Sequence, residues 1–235
     1  METQFLNDEL QFEIKKHGAD FTYFVDISQL PKSQNKGYPR AVIFGFSLSV
    51  NYLKKVSGVP NYVEQMIKSN QIKSDEFYLK EIEADKLADY IAEDIVSLGY
   101  KAYSQSEANI EETGYYCTIH KTTPLPHKTI ACLAGIGWIG KHNLLIIPEY
   151  GSAFCMCSVL TNAPLETVAY QPMDSKCENC NICKNTCTVN AIKGKSWDYG
   201  ISRDEIVDVS LCNTCLKCLV HCPWTQRYIR KANSY

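Results

Sequence analysis

The sequence predicts a mixed α/β or α+β domain followed by a separate cysteine-rich unit. Candidate helices and strands alternate up to about residue 170, which is typical of such mixed folds. The chain has 235 residues, of which 45% are hydrophobic and 21% charged, so it can bury a core and is not predicted to be disordered. Eight of its twelve cysteines form two quartets between Cys177 and Cys222, and this clustering marks the C-terminal part as a distinct unit.

Apolar periodicity and turn residues define the elements of the first domain. Amphipathic helices are predicted from Gln4 to Lys16 and from Leu79 to Leu98, and Gly18 and Gly99 are their stop signals. A short helix is predicted within Leu125 to Gly135. The predicted strands are Phe21 to Val25, Ala41 to Val50, Lys101 to Ser104, Tyr115 to Ile119 and Ala153 to Leu160.

The boundary between the two domains is predicted in the segment from Ala169 to Lys176, which gives domains 1–170 and 171–235. A net charge of −2 calls for neither a nucleic-acid nor a membrane partner. The N-terminus has no secretory pattern, and the uncharged stretch from Tyr150 to Leu165 is too short to span a bilayer. The sequence therefore predicts a cytoplasmic protein without a membrane partner.

The two cysteine quartets carry the most specific signal. They read CENCNICKNTC and CNTCLKCLVHCP, and both have the C-x2-C-x2-C-x3-C spacing of bacterial two-cluster ferredoxins. In that pattern three cysteines bind one [4Fe–4S] cluster and the fourth reaches the other cluster. The spacing predicts one cluster bound by Cys177, Cys180, Cys183 and Cys222, and a second bound by Cys212, Cys215, Cys218 and Cys187.

Structural zinc and disulfide bonds are the alternatives for these cysteines. Zinc ligands usually form two pairs with a longer spacer, a pattern that three evenly spaced cysteines fit poorly. Disulfides are rare in the cytoplasm, and a chain of this size does not need them for stability. The cluster interpretation is therefore favoured. Two such clusters would pass single electrons to whatever the larger domain holds.

A glycine-rich stretch, AGIGWIGKHNLLI, precedes the cysteine quartets. Its glycines Gly135, Gly137 and Gly140 allow the backbone to approach another surface closely, and Trp138 and Lys141 add a flat ring and a cation. The spacing is not that of the G-x-G-x-x-G dinucleotide motif. The pattern alone leaves two interpretations open, a tight structural turn and a cradle for a cofactor.

The order of the glycine-rich stretch, the segment PEYGSAFCMCSVLTNAPLE and the two quartets resembles that of epoxyqueuosine reductases and, more distantly, reductive dehalogenases. The resemblance is specific from about Pro124 to Trp224. It implies a nitroreductase-like domain that holds cobalamin, followed by a ferredoxin-like domain whose two [4Fe–4S] clusters reduce the cobalt. A flavin is the alternative cofactor. The residues that the resemblance puts beside the corrinoid are Gly135, Gly137, Trp138, Gly140 and Lys141.

Two departures from that family bear on the catalytic residues and the substrate. Where the family has a V-D-T/S-G-P segment with a proton-donating Asp, this sequence reads HKTTP, so Lys121 is the substitute acid, with His120 and His127 as alternates. The queuosine enzymes commonly continue past the clusters into helical material that helps to hold tRNA, whereas this sequence ends 13 residues after Cys222. The departures argue against tRNA as a partner.

Two functions follow as hypotheses. In the first, the protein is a cobalamin-dependent iron–sulfur reductase acting on an unidentified substrate, with electrons from a low-potential donor such as ferredoxin or flavodoxin. In the second, it reduces or handles a corrinoid without an organic substrate of its own. The loss of the Asp favours the second hypothesis, whereas the intact glycine-rich stretch favours a bound cofactor in both.

Overall fold

The chain divides into two units, each assembled from three separate segments. The structure, a computed structural model, describes residues 2–167, 171–198 and 200–232. The first unit consists of Met1–Ser47, Lys80–Gly135 and Cys155–Gln171, and the second of Leu48–Leu79, Ile136–Phe154 and Pro172–Tyr235. One break falls inside the predicted boundary segment, of which Ala169 and Tyr170 lie outside the described residues. The unit around the cysteines is larger than residues 171–235, because two earlier stretches pack into it.

The described residues form helices joined to antiparallel strand pairs, which is the α+β architecture that the sequence predicts. The helices are α1 (Glu2–Lys16), α2 (Lys32–Asn35), α3 (Val50–Gly58), α4 (Tyr62–Lys68), α5 (Glu76–Ser97), α6 (Glu107–Glu112), α7 (His127–Leu133), α8 (Ile182–Thr186), α9 (Lys217–Val220) and α10 (Pro223–Ala232). The strands are β1 (Phe21–Asp26), β2 (Arg40–Ser47), β3 (Ala102–Ser104), β4 (Trp138–Ile139), β5 (Leu145–Ile146) and β6 (Phe154–Thr161). Over the described ranges, no helix combines the length and the apolar character needed to cross a bilayer.

A four-stranded sheet in the order β1-β2-β6-β3 is the core of the first unit. β1 pairs antiparallel with β2, so that Phe21 lies opposite Gly45, and β3 pairs antiparallel with β6. The inner strands β2 and β6 are buried along almost their whole length, as expected for strands covered on both faces. Their side chains share a core with α1 and α5 that includes Val42, Phe44, Phe46, Val159, Leu10, Ile14, Leu87 and Ile91.

The two long predicted helices are present close to their predicted bounds. α5 buries the positions that the three- and four-residue periodicity selects, which are Ala84, Leu87, Ala88, Ile91 and Ile95. Gly18 and Gly99 follow α1 and α5 with φ of +89° and +88°, which a residue with a side chain adopts only with strain. Strands β1, β2, β3 and β6 and helix α7 also confirm predicted elements.

The predicted strand from Tyr115 to Ile119 is wrong. Only an isolated bridge joins Cys117 to Thr122 in this region. Lys121 has a φ of +50°, in the left-handed region, and closes a tight turn instead of continuing an extended strand. Ile119 is 85% exposed, so its β-branched side chain marks no buried sheet face here.

Helix α3 replaces the end of the strand predicted to run through Val50. The Ser49 side chain accepts a hydrogen bond from the backbone N–H of Tyr52, which caps the first turn of the helix. Strand β2 therefore ends at Ser47.

The second unit contains the hairpin β4–β5 and helices α3, α4, α8, α9 and α10. Trp138 lies opposite Ile146 in the hairpin. Helix α9 packs against α3, α8 and α10. Gly151 precedes β6 with a φ of +63°, and a Cβ there would collide with the backbone of Thr225 in α10. This close approach joins the hairpin segment to the C-terminal helix.

Candidate functional site

Four thiols of the second unit line one cavity of about 100 Å³, and they come from both quartets. Three belong to the first quartet, and the fourth is the last cysteine of the second quartet. The thiols are Cys177, Cys180, Cys183 and Cys222. We call them the first cysteine set. The other lining residues are Lys141, His142, Ile146, Lys176, Pro223 and Trp224.

The thiols of the first set lie close enough to interact electrostatically. Burial, together with the neighbouring Cys177, Cys222 and Cys180, raises the pKa of the Cys183 thiol to about 11. Burial also raises the pKa of Cys222, with further increases from Cys177 and Cys180. Thiols in such a group bind metal only after losing their protons, so a bound cation must compensate the negative charge.

Cys187 lies with the remaining cysteines of the second quartet. Burial, together with the neighbouring Cys215, Cys212, Cys183 and Cys187, raises the pKa of the Cys218 thiol to about 12. Cys187 and Cys218 also pack against the same group, formed by Cys183, Ala191, Ile192 and Val207. We call Cys212, Cys215, Cys218 and Cys187 the second cysteine set.

Residues in the left-handed backbone conformation occur in the loops that carry the thiols. Glu178 follows Cys177 with a φ of +41°, and the N–H of Cys180 donates to the carbonyl oxygen of Cys177 at 2.8 Å. The chain then enters α8, which buries Cys183. The second quartet repeats this order, because Thr214 and Leu216 have φ of +53° and +60° immediately before α9.

The described part of the chain contains no group of three or more His, Cys, Asp or Glu side chains arranged to hold a single metal ion. The first set instead borders open space. One wall of the cavity is apolar: Cys222 packs with Trp138 and Ile146, and Cys177 and Trp224 lie against the same group. The donor set, the cavity and the apolar wall fit a sulfur-ligated cluster.

The glycines of the hairpin segment are required by the hairpin itself. A Cβ added to Gly137 would collide with the carbonyl oxygen of Ile146 on the opposite strand. A Cβ at Gly140 would lie 2.7 Å from both the His142 ring and the Ile146 side chain. Gly135 has a φ of +64°. These contacts match the structural-turn interpretation, and they account for Gly137 and Gly140 without a cofactor.

Trp138 combines an apolar contact with an unused donor. Its side chain is 2% exposed, and its ring meets that of Trp224 edge to face with centroids 4.9 Å apart. Its Nε1 has no hydrogen-bond partner. Trp138 also lines a second cavity of about 470 Å³, together with Met173, Glu178 and Trp197. A buried indole N–H without a partner is rare, so this cavity is a candidate for a ligand with an acceptor group.

Lys141 lies at the first cysteine set. Its side chain is buried, and its Nζ donates to the carbonyl oxygens of Glu178 at 2.7 Å and Cys180 at 3.0 Å. Its neighbour His142 accepts the N–H of Leu144 on Nδ1. Sequence reasoning did not connect either residue to the cysteines, since the partners of Lys141 lie 37 and 39 positions further along the chain.

The two predicted catalytic residues lie in the first unit. Lys121 is exposed in the turn closed by Cys117 and Thr122. His127 begins α7, and its Nδ1 is 2.8 Å from the Ser158 hydroxyl. Burial lowers the pKa of His127 to about 4, so its imidazole is neutral near pH 7. These contacts are those of a structural histidine.

Sequence reasoning missed a partly buried lysine in the first unit. The Nζ of Lys36 has no hydrogen-bond partner, and it lies over the rings of Tyr115 and Tyr103. Burial lowers the pKa of Lys36 to about 8. No local pattern marks this residue, because the two tyrosines are distant from it in the sequence.

Three cysteines of the first unit, Cys132, Cys155 and Cys157, are core thiols. Cys155 is 5% exposed, Cys132 is 4% exposed and Cys157 is fully buried. Cys157 belongs to the core shared with α1 and α5. These residues have no part in either cysteine set.

Curated proteins similar to this chain are epoxyqueuosine reductases. The one from Vibrio cholerae is 30% identical over 107 residues, which are 46% of this chain and 24% of that protein. The one from Synechococcus sp. (strain CC9605) is 45% identical over 71 residues, 30% of this chain and 22% of that protein. The Synechocystis protein is 30% identical over 123 residues, which cover 46% of this chain and 42% of that protein. The chain thus matches less than half of each relative. No protein-family model matches it.

Solved structures with the same fold come from two kinds of enzyme. The catabolic reductive dehalogenase NpRdhA superimposes with a TM-score of 0.62 at 20% identity, over 94% of this chain and 33% of that one. Epoxyqueuosine reductase from Bacillus subtilis superimposes with a TM-score of 0.57 at 15% identity, over 95% of this chain and 66% of that one. One epoxyqueuosine reductase structure contains a tRNA stem loop, and one dehalogenase structure is described in terms of B12-dependent dehalogenation. The resemblance stated from the sequence is confirmed.

Proposed function

We propose that this chain is a cobalamin-dependent iron–sulfur reductase. The observation that carries the proposal is the cavity that Cys222 of the second quartet lines together with three thiols of the first quartet. Two-cluster ferredoxins exchange the fourth cysteine between quartets in this way. The similarity to epoxyqueuosine reductases and reductive dehalogenases supports the cofactor and the reaction class.

Each cysteine set would hold one [4Fe–4S] cluster. Bound clusters supply electrons one at a time. Trp138, Ile146 and Trp224 would keep water away from the first set, since they pack directly around Cys222 and Cys177. Cys212 is exposed, whereas Cys222 and Cys183 are 5% and 8% exposed. Electrons from a ferredoxin or flavodoxin would therefore enter at the second set and pass to the first.

Cobalamin would be the acceptor of these electrons. The proposed nitroreductase-like part of the chain would bind it. The unpaired Nε1 of Trp138 could donate to an acceptor group on the edge of a corrinoid. The cavity beside it, about 470 Å³, lies at the lower end of the size of sites for small ligands, so it would hold only a part of the cofactor. A flavin is the alternative, and the two cofactors differ in their absorption spectra.

A proton donor is needed when a reductive step breaks a carbon–oxygen or carbon–halogen bond. Lys121 is the candidate from position, and His127 is neutral near pH 7 because its pKa is lowered to about 4. Lys36 of the first unit is a further candidate. Burial brings its pKa to about 8, so its ammonium form is populated at neutral pH and gives up its proton more readily than an exposed lysine does.

A second function remains supported by one feature, the replacement of the family's acidic segment by HKTTP. In that case the chain would reduce a corrinoid for another protein and consume no organic substrate. The substrate of the reductase is an epoxide or an organic halide by analogy with the two groups of relatives. A structural neighbour contains a tRNA stem loop, so tRNA is a necessary part of the test.

The test uses anaerobically purified protein loaded with iron, sulfide and cobalamin. It is reduced with a low-potential donor and offered an epoxide, an aryl halide and epoxyqueuosine-containing tRNA in separate assays. Consumption of any of the three supports the reductase. Reduction of bound cobalamin with no consumption supports the corrinoid-reducing alternative. If no spectral change or heat accompanies the addition of cobalamin, both functions fail.

A further inference from the structure

Lys141 is a buried cation held against the loop of the first cysteine set. Its side chain is 6% exposed, and it lies between strands β4 and β5. Its Nζ donates to the carbonyl oxygens of Glu178 and Cys180 at 2.7 and 3.0 Å. Both acceptors belong to the short loop between Cys177 and α8. The same side chain lines the cavity bordered by the four thiols.

Burying an ammonium group in an apolar region is costly unless negative charge or several acceptors compensate it. The two acceptors of Lys141 are neutral carbonyl groups, and within residues 2–167, 171–198 and 200–232 no ion pair includes Lys141. The four thiols of the first cysteine set border the same cavity as Lys141, and they become negatively charged once they have lost their protons. The buried cation and the four thiols therefore complement each other.

We propose that Lys141 is a positioning residue of the first cluster, which fixes the cysteine loop and raises the reduction potential of the cluster. This proposal rests on the proposed function, because it requires a cluster at the first set. It differs from the role that the resemblance implies for Lys141, which is a contact with the corrinoid.

The effect on the potential follows from the charge. Reduction adds one electron, and hence one negative charge, to the site. A cation fixed nearby stabilises the reduced form more than the oxidised form, and net charge is one of the factors that set cluster potentials. The interaction is strong because Lys141 is shielded from water and from salt. Its hydrogen bonds to Glu178 and Cys180 hold the cation at the site when the redox state changes.

The experiment is a reductive titration of the two-cluster protein, followed by electron paramagnetic resonance. In Lys141→Met, we expect the reduced-to-oxidised ratio of one cluster at fixed potential to fall about tenfold, which is 59 mV for a one-electron couple. The affected cluster should be the one whose signal Cys222→Ser also changes. Lys141→Arg keeps the charge and should stay near the wild-type value. Lys184→Met removes an exposed lysine of α8 and serves as the matched control.

A wild-type potential in Lys141→Met with full iron content overturns the proposal. So does a loss of cobalamin affinity without a change in potential, which would favour the corrinoid contact. If the Met variant fails to assemble its clusters, Lys141→Gln takes its place, since an amide can still donate to one carbonyl but has no charge. Failure of the proposed function itself is distinguishable, because wild-type protein would then contain no clusters to titrate.

Discussion

The hairpin has no room for a side chain at Gly137, because an added Cβ would collide with the carbonyl oxygen of Ile146. We expect Gly137→Ala to lower the free energy of unfolding by about 1 to 3 kcal/mol, the usual cost of overpacking. Gly58→Ala is the control, because a Cβ there meets nothing within 4 Å. Urea unfolding of both variants provides the measurement. Equal stability of Gly137→Ala and wild type would show that the hairpin can relax around the methyl group.

The buried imidazole of His127 makes stability depend on pH. Its pKa is lowered to about 4 from 6.5, so between these values the unfolded chain binds a proton that the folded protein does not. Stability should therefore fall as the pH drops from 7 towards 4, by on the order of 3 kcal/mol from this residue. His127→Gln should lose less stability over the same range. Parallel slopes for variant and wild type in urea unfolding would refute this assignment.

At the scale of elements, the exchanged cysteines couple the two quartets. Cys187→Ser should disturb the cluster of Cys212, Cys215 and Cys218, although Cys187 lies in the first quartet. Cys117→Ser is the control, because Cys117 lies outside both sets. Separate spectra of the two clusters, obtained at graded potentials, provide the measurement. If Cys187→Ser alters only the cluster of Cys177, Cys180 and Cys183, each quartet binds its own cluster and the exchange is wrong.

Long helices and strands were predictable from the sequence, and very short ones were not. The periodicity of α5 and the buried run of β2 locate both elements, because one face or both faces are covered by the core. Strands β4 and β5 have two residues each, which is too few for any period to show. The apolar residues from Tyr115 to Ile119 resemble a strand in sequence, but they form only an isolated bridge, since strand pairing depends on distant residues.

The candidate site shows the same limit. Cysteine spacing predicts both sets, because ligand geometry constrains positions close together in the chain. The role of Lys141 depends on carbonyl groups of residues 178 and 180, and the Nζ of Lys36 lies over the rings of Tyr103 and Tyr115. Contacts of this kind are set by the tertiary fold and leave no local pattern.

For the molecule as a whole, the near-neutral charge hides an uneven distribution. The first unit has 10 Lys and Arg against 16 Asp and Glu, whereas the second has 14 against 10. The unit that carries the cysteines is thus the basic one. Lys217, whose Nζ is 3.2 Å from the Asn61 side chain, lies beside the cavity that includes Cys215.

We expect electron transfer from an acidic ferredoxin or flavodoxin to slow as salt is added, because screening weakens the attraction to the basic unit. Lys217→Gln should lower the rate at low salt, and Lys15→Gln, in the acidic first unit, should not. Stopped-flow absorbance provides the measurement, with iron content as the check on cluster assembly. A rate that does not depend on salt would contradict steering by this charge.

The most direct test of the central claim is the metal and sulfide content of the whole chain. After anaerobic reconstitution with iron and sulfide, followed by removal of unbound metal, we expect about eight iron and eight sulfide per chain. Zinc should be present only in trace amounts when it is offered in competition during reconstitution. Stoichiometric zinc with little iron, or iron that stops at about four per chain, would contradict a protein built around two [4Fe–4S] clusters.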